Sequence, residues 1–300
     1  MRGAPPAYQA AIDYLYSFVN YESNMPPSPQ HARFNLDRMR ALLAALDDPQ
    51  QHYPSVVIAG TKGKGSTCAL LEAILRAAGY RTALYTSPHL HSFRERIQID
   101  RRLIPQDVFV AYVERLKPIV ARLATAPTFF ELATTLALWY FAEQRVDIAV
   151  LEIGLGGRYD SVNVVTPRVS AITPVSFDHM AVLGNTIEEI AWNKAGIIKP
   201  GVPVAIAPQR PAAEAVIRQE ASDLSAPLWR ADAEGARALM DASGELWRYP
   251  VPINAATVAL GGAHQLINAR LAVTIALLLR ASTDMRSYEP VSYTHLTLPP

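Results

Sequence analysis

The residues best equipped for chemistry lie in the run Val56-Val-Ile-Ala-Gly-Thr-Lys-Gly-Lys-Gly-Ser-Thr67. An apolar, β-branched stretch ends there in glycines, lysines and hydroxyls, and a long helical pattern follows. A strand that feeds a Gly-rich turn and then a helix N-terminus makes a cradle for anions. Its backbone N–H groups converge, the helix dipole adds positive potential, and a lysine can reach terminal phosphates. The strict phosphate-loop pattern G-x-x-x-x-G-K-[ST] is not met, because Ile58 stands where its first glycine belongs and Gly65 follows Lys64. Taken alone, the segment could also be an ordinary Gly-rich turn between strand and helix.

Three further polar segments follow apolar runs of strand length. They are Thr86-Ser-Pro-His-Leu90 leading to Ser92-Phe-Arg-Glu-Arg-Ile97, Glu152-Ile-Gly-Leu-Gly-Gly-Arg158, and Phe177-Asp-His-Met-Ala-Val-Leu-Gly184. In a parallel sheet, ligands collect beyond the carboxyl ends of the strands, so these segments belong to one predicted rim. An acid at a strand end beside a phosphate loop suits Mg²⁺–nucleotide chemistry, since the ion is hard and shares oxygens between protein and phosphate. Each residue has a plainer reading by itself. Glu152 could be a buried carboxylate satisfied by backbone donors, His179 a structural histidine, and Ser87 the end of its strand. Four such termini around one rim argue for a site.

The elements that must position them alternate along the chain. Helical patterns cover residues 8–20 and 35–47, separated by the Pro-rich loop Met25–Pro29. Strands are expected at Ser55–Ala59, Thr82–Thr86, Asp147–Ile153, Val169–Pro174 and Val202–Ala207. Helices are expected at Ser66–Ala78, 106–124, 128–145, a stretch opened by the capping box Thr186-Ile-Glu-Glu189 and running to Ala195, and Pro211–Leu224. Residues 228–253 read as short strands with turns at Gly244 and Pro250–Pro252, and a last helix spans about His264 to Arg280. Buried-type strands separated by helices define an α/β class with a largely parallel sheet and helices on both faces.

Composition narrows the function. The 300 residues, half of them hydrophobic, suffice for at least one substantial core. Lys and Arg total 28 against 27 Asp and Glu, so no global field recruits nucleic acid or a membrane. Cys68 is the only cysteine, which excludes an internal disulfide framework and fits a reducing compartment. The first residues lack the apolar core of a signal peptide, and the run Leu271–Leu279 is too short to span a bilayer. A soluble, cytoplasmic, monomeric protein is expected.

The combination Gly60-Thr-Lys-Gly-Lys-Gly-Ser66, Tyr85-Thr-Ser-Pro-His-Leu90, Leu151-Glu-Ile-Gly-Leu-Gly-Gly-Arg158, Asp178-His-Met-x-x-Leu-Gly184, Lys194-Ala-Gly-Ile-Ile-Lys199 and His264-Gln-x-x-Asn-Ala269 resembles folylpolyglutamate synthase/dihydrofolate synthase of the ATP-dependent Mur ligase superfamily. The resemblance covers roughly residues 10 to 280. One departure is Lys62, where the family usually has Asn; it adds a cation at the loop. The resemblance implies that Gly60, Thr61, Gly63, Lys64, Gly65 and Ser66 bind the ATP phosphates. Ser87, Glu152 and His179 would hold Mg²⁺, two ions in all, with Lys194 carbamylated and helping to position the second. A bare lysine repels a cation, whereas a carbamate offers anionic oxygen; the alternative for Lys194 is a helix C-terminal lysine facing the dipole before Gly196. Gln265 and Asn268 match residues near adenine, their alternative being capping and surface polarity. His89, Arg94, Arg96 and Glu131 match the surroundings of the pterin-bearing substrate. Two arginines on a loop are ordinarily solvated, however, and Phe129-Phe130-Glu131 at helical spacing is ordinarily core.

The activity implied is ATP-dependent ligation of L-glutamate to a dihydropteroate or reduced-folate carboxylate through an acyl phosphate. The catalytic groups would be Lys64, Glu152, His179 and Lys194. Residues 1–280 are expected to form a Mur-ligase-like ATP-binding domain and 281–300 an irregular, non-native tail, with a C-terminal glutamate-binding domain absent. Alternatives are an ATP-binding module without turnover and another Mur-type amino-acid ligase. The latter usually has Thr or Ser directly after the lysine, unlike Gly65.

Overall fold

The computed structural model describes residues 5–22, 35–233, 235–240, 248–250 and 262–281. In chain order the strands are β1 (Ser55–Ala59), β2 (Thr82–Tyr85), β3 (Ile97–Ile99), β4 (Arg102–Leu103), β5 (Ile148–Glu152), β6 (Val169–Ile172), β7 (Val204–Ile206), β8 (Leu228–Ala231), β9 (Gly235–Met240) and β10 (Arg248–Pro250). The helices are α1 (Pro6–Tyr16), α2 (Asp37–Ala44), α3 (Lys64–Ala77), α4 (Gln106–Val120), α5 (Phe129–Glu143), α6 (Met180–Leu183), α7 (Ile187–Ala195), α8 (Pro211–Asp223) and α9 (Ala263–Ala281).

The strands form one sheet in the order β10-β9-β8-β7-β6-β1-β5-β2-β3-β4. From β8 across to β2 every neighbouring pair is parallel. The flanking pairs β2–β3, β3–β4, β8–β9 and β9–β10 are antiparallel. β1, wholly buried, lies in the middle, with Ile58 opposite Glu152 on one side and Ala59 opposite Ile172 on the other. This level register brings the carboxyl ends of β1, β5 and β6 to a common rim.

Period-2 alternation divides the core between the two faces. Val57, Ala59, Tyr85, Leu151 and Ile172 pack with α1, α2, α4, α5, α7 and α8. Val56, Ile58, Leu84, Val150 and Ala171 pack with Leu70 and Leu71 of α3 and Leu271 and Ile275 of α9. The expected doubly covered, largely parallel sheet is therefore the observed one.

The main differences from expectation lie at element ends and at the sheet margins. α1 begins at Pro6, the favoured first-turn position for proline, and stops where the Ser17 hydroxyl donates to Tyr14 O at 2.7 Å. α3 begins at Lys64 rather than Ser66, because Gly63 in the left-handed region (φ 89°) turns the chain into it. The hairpin β3–β4 was not expected. Its strands are too short for a periodic signal, and it turns on Asp100 and Arg101, both at positive φ. The Pro-rich loop, the Gly244 turn, Val251 and Pro252, and residues 282–300 lie outside the described residues.

The α3–sheet–α9 layer is closely filled. Leu71→Ala, at a fully buried position, should lower stability by about 2–5 kcal/mol. Leu90→Ala, at an exposed one, should leave it within about 0.5 kcal/mol. Urea midpoints of the two variants check this contrast.

Candidate active site

The site is built where β1, β2, β5 and β6 end. β1 leaves the sheet at Gly60, whose φ of 141° is accessible to glycine and which abuts the end of β6 so closely that a Cβ there would collide with Thr173 Oγ1. A Cβ at Gly63 would strike the carboxamide of Asn268, at the start of α9. Asn268 is buried, and its Nδ2 donates to Gln265 Oε1 at 3.0 Å. Asn268 is thus placed directly against the loop, with Gln265 bonded to it, as the packing of α9 on α3 requires. Lys64, Gly65 and Ser66 form the first turn of α3, which directs free N–H groups and positive potential toward the rim.

Glu152, the last residue of β5, is buried beside this turn, and a Cβ on Gly65 would lie 3.4 Å from its Oε2. The Ser87 amide donates to the same oxygen at 3.1 Å, which fastens the loop after β2 to the end of β5. The bond between Ser87 and Pro88 is cis. Burial pushes the Glu152 carboxyl up to about 7, against the lowering effects of Lys64 and the Ser87 amide. Asp160, also buried, accepts hydrogen bonds from the amides of Leu155 and Val162, each at 2.9 Å. Burial raises it to about 6, with those donors and Lys64 opposing. The sequence signal for Asp160 was its N-cap position before Ser161-Val-Asn163, and it was missed.

Lys194 is buried near the end of α7, and its Nζ donates to Gly60 O at 2.9 Å. Desolvation, followed by the Lys64 charge, lowers its ammonium to about 8. The amine therefore supports the backbone of the phosphate loop from beneath. Thr61 is likewise engaged inward: its hydroxyl donates to Ser176 O and accepts from Ser176 N, both at 3.0 Å.

His179 caps α6 at φ 47°, with its ring 45% exposed and 3.6 Å from the Asp178 carboxylate. Among the described residues, no three His, Cys, Asp or Glu side chains gather closely enough to hold a metal by themselves. Ser87 and Glu152 nonetheless fit a hard cation. They offer oxygen donors next to the phosphate cradle, and a positive ion there would relieve the cost of ionising a buried carboxyl. Phosphate and water oxygens would complete such a shell.

The four residues matched to the substrate surroundings are placed differently from one another. Arg96 is the unexpected one. It is not solvated but only 1% exposed. It makes a bidentate pair with Glu22 at 2.8 and 2.7 Å, donates from Nε to His89 Nδ1 at 2.8 Å, and lies over the rings of Phe93 and Phe129. Arg94 donates from Nε to Ile104 O. Glu131 closes the capping box of α5 with Thr128 and pairs with Arg38 at 3.1 Å, which ties α2 to α5. These contacts fasten the N-terminal segment and α2 to the rim. Spacing could not reveal them, because their partners lie 74 and 93 residues apart in sequence.

A phosphate cradle followed by a helix, with a carboxylate at the neighbouring strand end, is the arrangement of a nucleotide-binding α/β domain, and residues 58–276 match the Mur ligase middle domain family. The chain belongs to the folylpolyglutamate synthase/dihydrofolate synthase branch of that family. It is 46% identical over 226 residues to the dihydrofolate synthase/folylpolyglutamate synthase of Bacillus subtilis, covering 74% of this chain and 50% of that protein. Against the apo form of Lacticaseibacillus casei FPGS the TM-score is 0.80 at 32% identity, covering 97% of this chain and 72% of the other. An FPGS–AMPPCP–folate complex gives a TM-score of 0.79 at 34% identity, covering 96% and 70%. The chain spans about half the length of the curated relatives it matches.

The raised carboxyl at Glu152 has a defined consequence for stability in metal-free buffer. Its folded-state pKa lies above the unfolded one, so its contribution is complete below about 4.5 and is lost as pH rises through about 7. Glu152→Gln removes that loss. With chelator present, the variant should be the more stable protein at pH 8, by on the order of 3 kcal/mol, and the gap should narrow by pH 5. Urea unfolding at the two pH values checks the sign.

Proposed function

We propose that this chain supplies the ATP-binding part of a ligase that adds L-glutamate to the carboxylate of dihydropteroate or a reduced folate. The observation that carries the reading is the juxtaposition of Lys64 and the α3 amides with a buried Glu152 at the end of the adjacent strand. Residues 1–280 serve as the Mur-ligase-like domain in this reading, acting on small molecules in the cytoplasm. The solved complexes of relatives with AMPPCP and with folate support the choice of nucleotide and acceptor class.

The chemistry follows from charge. The loop amides from Lys62 to Ser66 hold the β- and γ-phosphates, Gln265 and Asn268 border the adenosine, and Lys64 neutralises the transferring phosphoryl group. An acceptor carboxylate oxygen attacks the γ-phosphorus and ADP departs, leaving an acyl phosphate. The glutamate amine then attacks the acyl carbon, and phosphate leaves as the amide forms. Mg²⁺, when bound through Ser87 and Glu152 with His179 nearby, supplies electrostatic stabilisation of phosphate charge. Burial leaves Lys194 with an appreciable neutral fraction above pH 7, the form of an amine that adds carbon dioxide. The resulting carbamate would carry anionic oxygen to the second ion's position.

Glutamate-dependent ADP release, with dihydropteroate and tetrahydrofolate offered separately, tests the reading. Release with either names the acceptor; nucleotide binding without release with both leaves an ATP-binding module. Lys64→Ala should weaken ATP binding roughly ten- to a hundredfold, as loss of a charge-assisted hydrogen bond does. Unchanged affinity by calorimetry would remove the phosphate-loop assignment.

A further inference from the structure

The segment between β6 and α6, which delivers Asp178 and His179 to the rim, is held from both sides by side chains that the proposed chemistry does not use. From the phosphate loop, Thr61 makes three hydrogen bonds to it. Its amide donates to Pro174 O at 3.2 Å, and its hydroxyl donates to Ser176 O and accepts from Ser176 N, each at 3.0 Å. A hydroxyl has one proton to give, so this side chain has none left to donate to a phosphate. From the turn after β7, Gln209 takes the opposite side. Its Oε1 accepts from Val175 N at 2.9 Å, and its Nε2 donates to Thr173 O at 3.1 Å and Ile172 O at 3.3 Å. Every residue from 172 to 176 therefore has a backbone group fixed by Thr61 or Gln209. Immediately beyond the clasp the chain is less enclosed: Phe177 is half exposed, and His179 sits at positive φ with an exposed ring.

The grip is also continuous with the nucleotide cradle. Gly60, next to Thr61, accepts from Lys194 Nζ and packs against Thr173. A displacement of Gly60–Thr61 is thus passed to Ser176 through the two hydrogen bonds of the Thr61 hydroxyl, on a β-branched side chain with little rotamer freedom.

We propose that Thr61 and Gln209 are positioning residues that couple the phosphate loop to the Asp178–His179 segment, so that seating of phosphate fixes where His179 stands. Thr61, assigned to phosphate from sequence, has its amide on Pro174 O and its hydroxyl on Ser176, so it acts on phosphate by placing the amides that follow it and on His179 through its hydroxyl. Gln209 provides the fixed wall against which that hydroxyl holds the segment. The inference rests on the nucleotide-binding reading above, and its test separates the two.

Hydrogen exchange of the full chain, with and without the Mg²⁺ complex of AMPPCP, reads both ends of the clasp. In the wild type, nucleotide should slow exchange across residues 61–66 and also across 175–180. In Thr61→Val, which keeps the shape but loses the hydroxyl, the slowing at 61–66 should persist while that at 175–180 falls roughly thirtyfold, the scale of two lost hydrogen bonds. Thr61→Ser, which can remake both bonds, should restore it. A purely structural threonine would not give nucleotide-dependent rescue. Gln209→Met should reproduce the Thr61→Val pattern from the other side, and it serves as the test should Thr61→Val fold poorly. Protection at 61–66 with none at 175–180 in the wild type overturns the coupling alone, as does a Thr61→Val or Gln209→Met protein that matches the wild type. Protection at neither segment overturns the nucleotide reading and the coupling with it.

Discussion

The close approach of Gly60 to the end of β6 is the contact on which the rest of the rim depends. Because no Cβ separates them, β1 can leave the sheet directly beneath Thr173 and turn at once into the helix that starts at Lys64. That turn sets the position of the α3 amides, brings Thr61 to Ser176, and places Gly60 O over the buried Lys194. A side chain at position 60 would separate the two strand ends and disturb all three relations together. The level register of β5, β1 and β6 supplies the other half of the constraint, since a shift of one residue would turn Glu152 to the opposite face.

Electrostatics then explains why so many ionisable groups can be buried here. Lys64 and Lys194 face Glu152 and Asp160 across a small volume. Burial moves each of the two acids upward and Lys194 downward, toward their neutral forms near pH 7. The rim is thus adjustable in charge: a bound anion or cation alters the protonation of its neighbours at small cost. Arg96 behaves in the opposite manner. It is equally buried but remains a cation, because Glu22 meets it bidentately and two aromatic rings lie beneath it.

Much of this arrangement is legible in the sequence. Strand β1 has its expected limits, α7 opens on the expected Thr186 capping box, and the polar strand ends do converge. These features are local: β-branched runs, caps and Gly-rich turns write themselves in adjacent residues. What could not be read is non-local. The burial of Arg96 depends on Glu22, Glu131 serves a helix cap and Arg38, and Gln209 acts through backbone atoms of a different strand. Asp160 lies between these cases. Its N-cap role was local, but its raised carboxyl comes from burial that only the folded chain creates.

The sheet's two margins have a consequence of another kind. A parallel sheet with a long open edge offers unpaired amides and carbonyls to any passing strand. Among the described residues the six parallel strands are never the margin. On one side the direction reverses twice and stops at the two residues of β4; on the other it reverses twice and stops at the three residues of β10. Arg102 puts a cation on the short margin at β4. A second chain meeting these described margins would find few backbone groups in register, so the sheet that carries the nucleotide cradle is a poor template for growth.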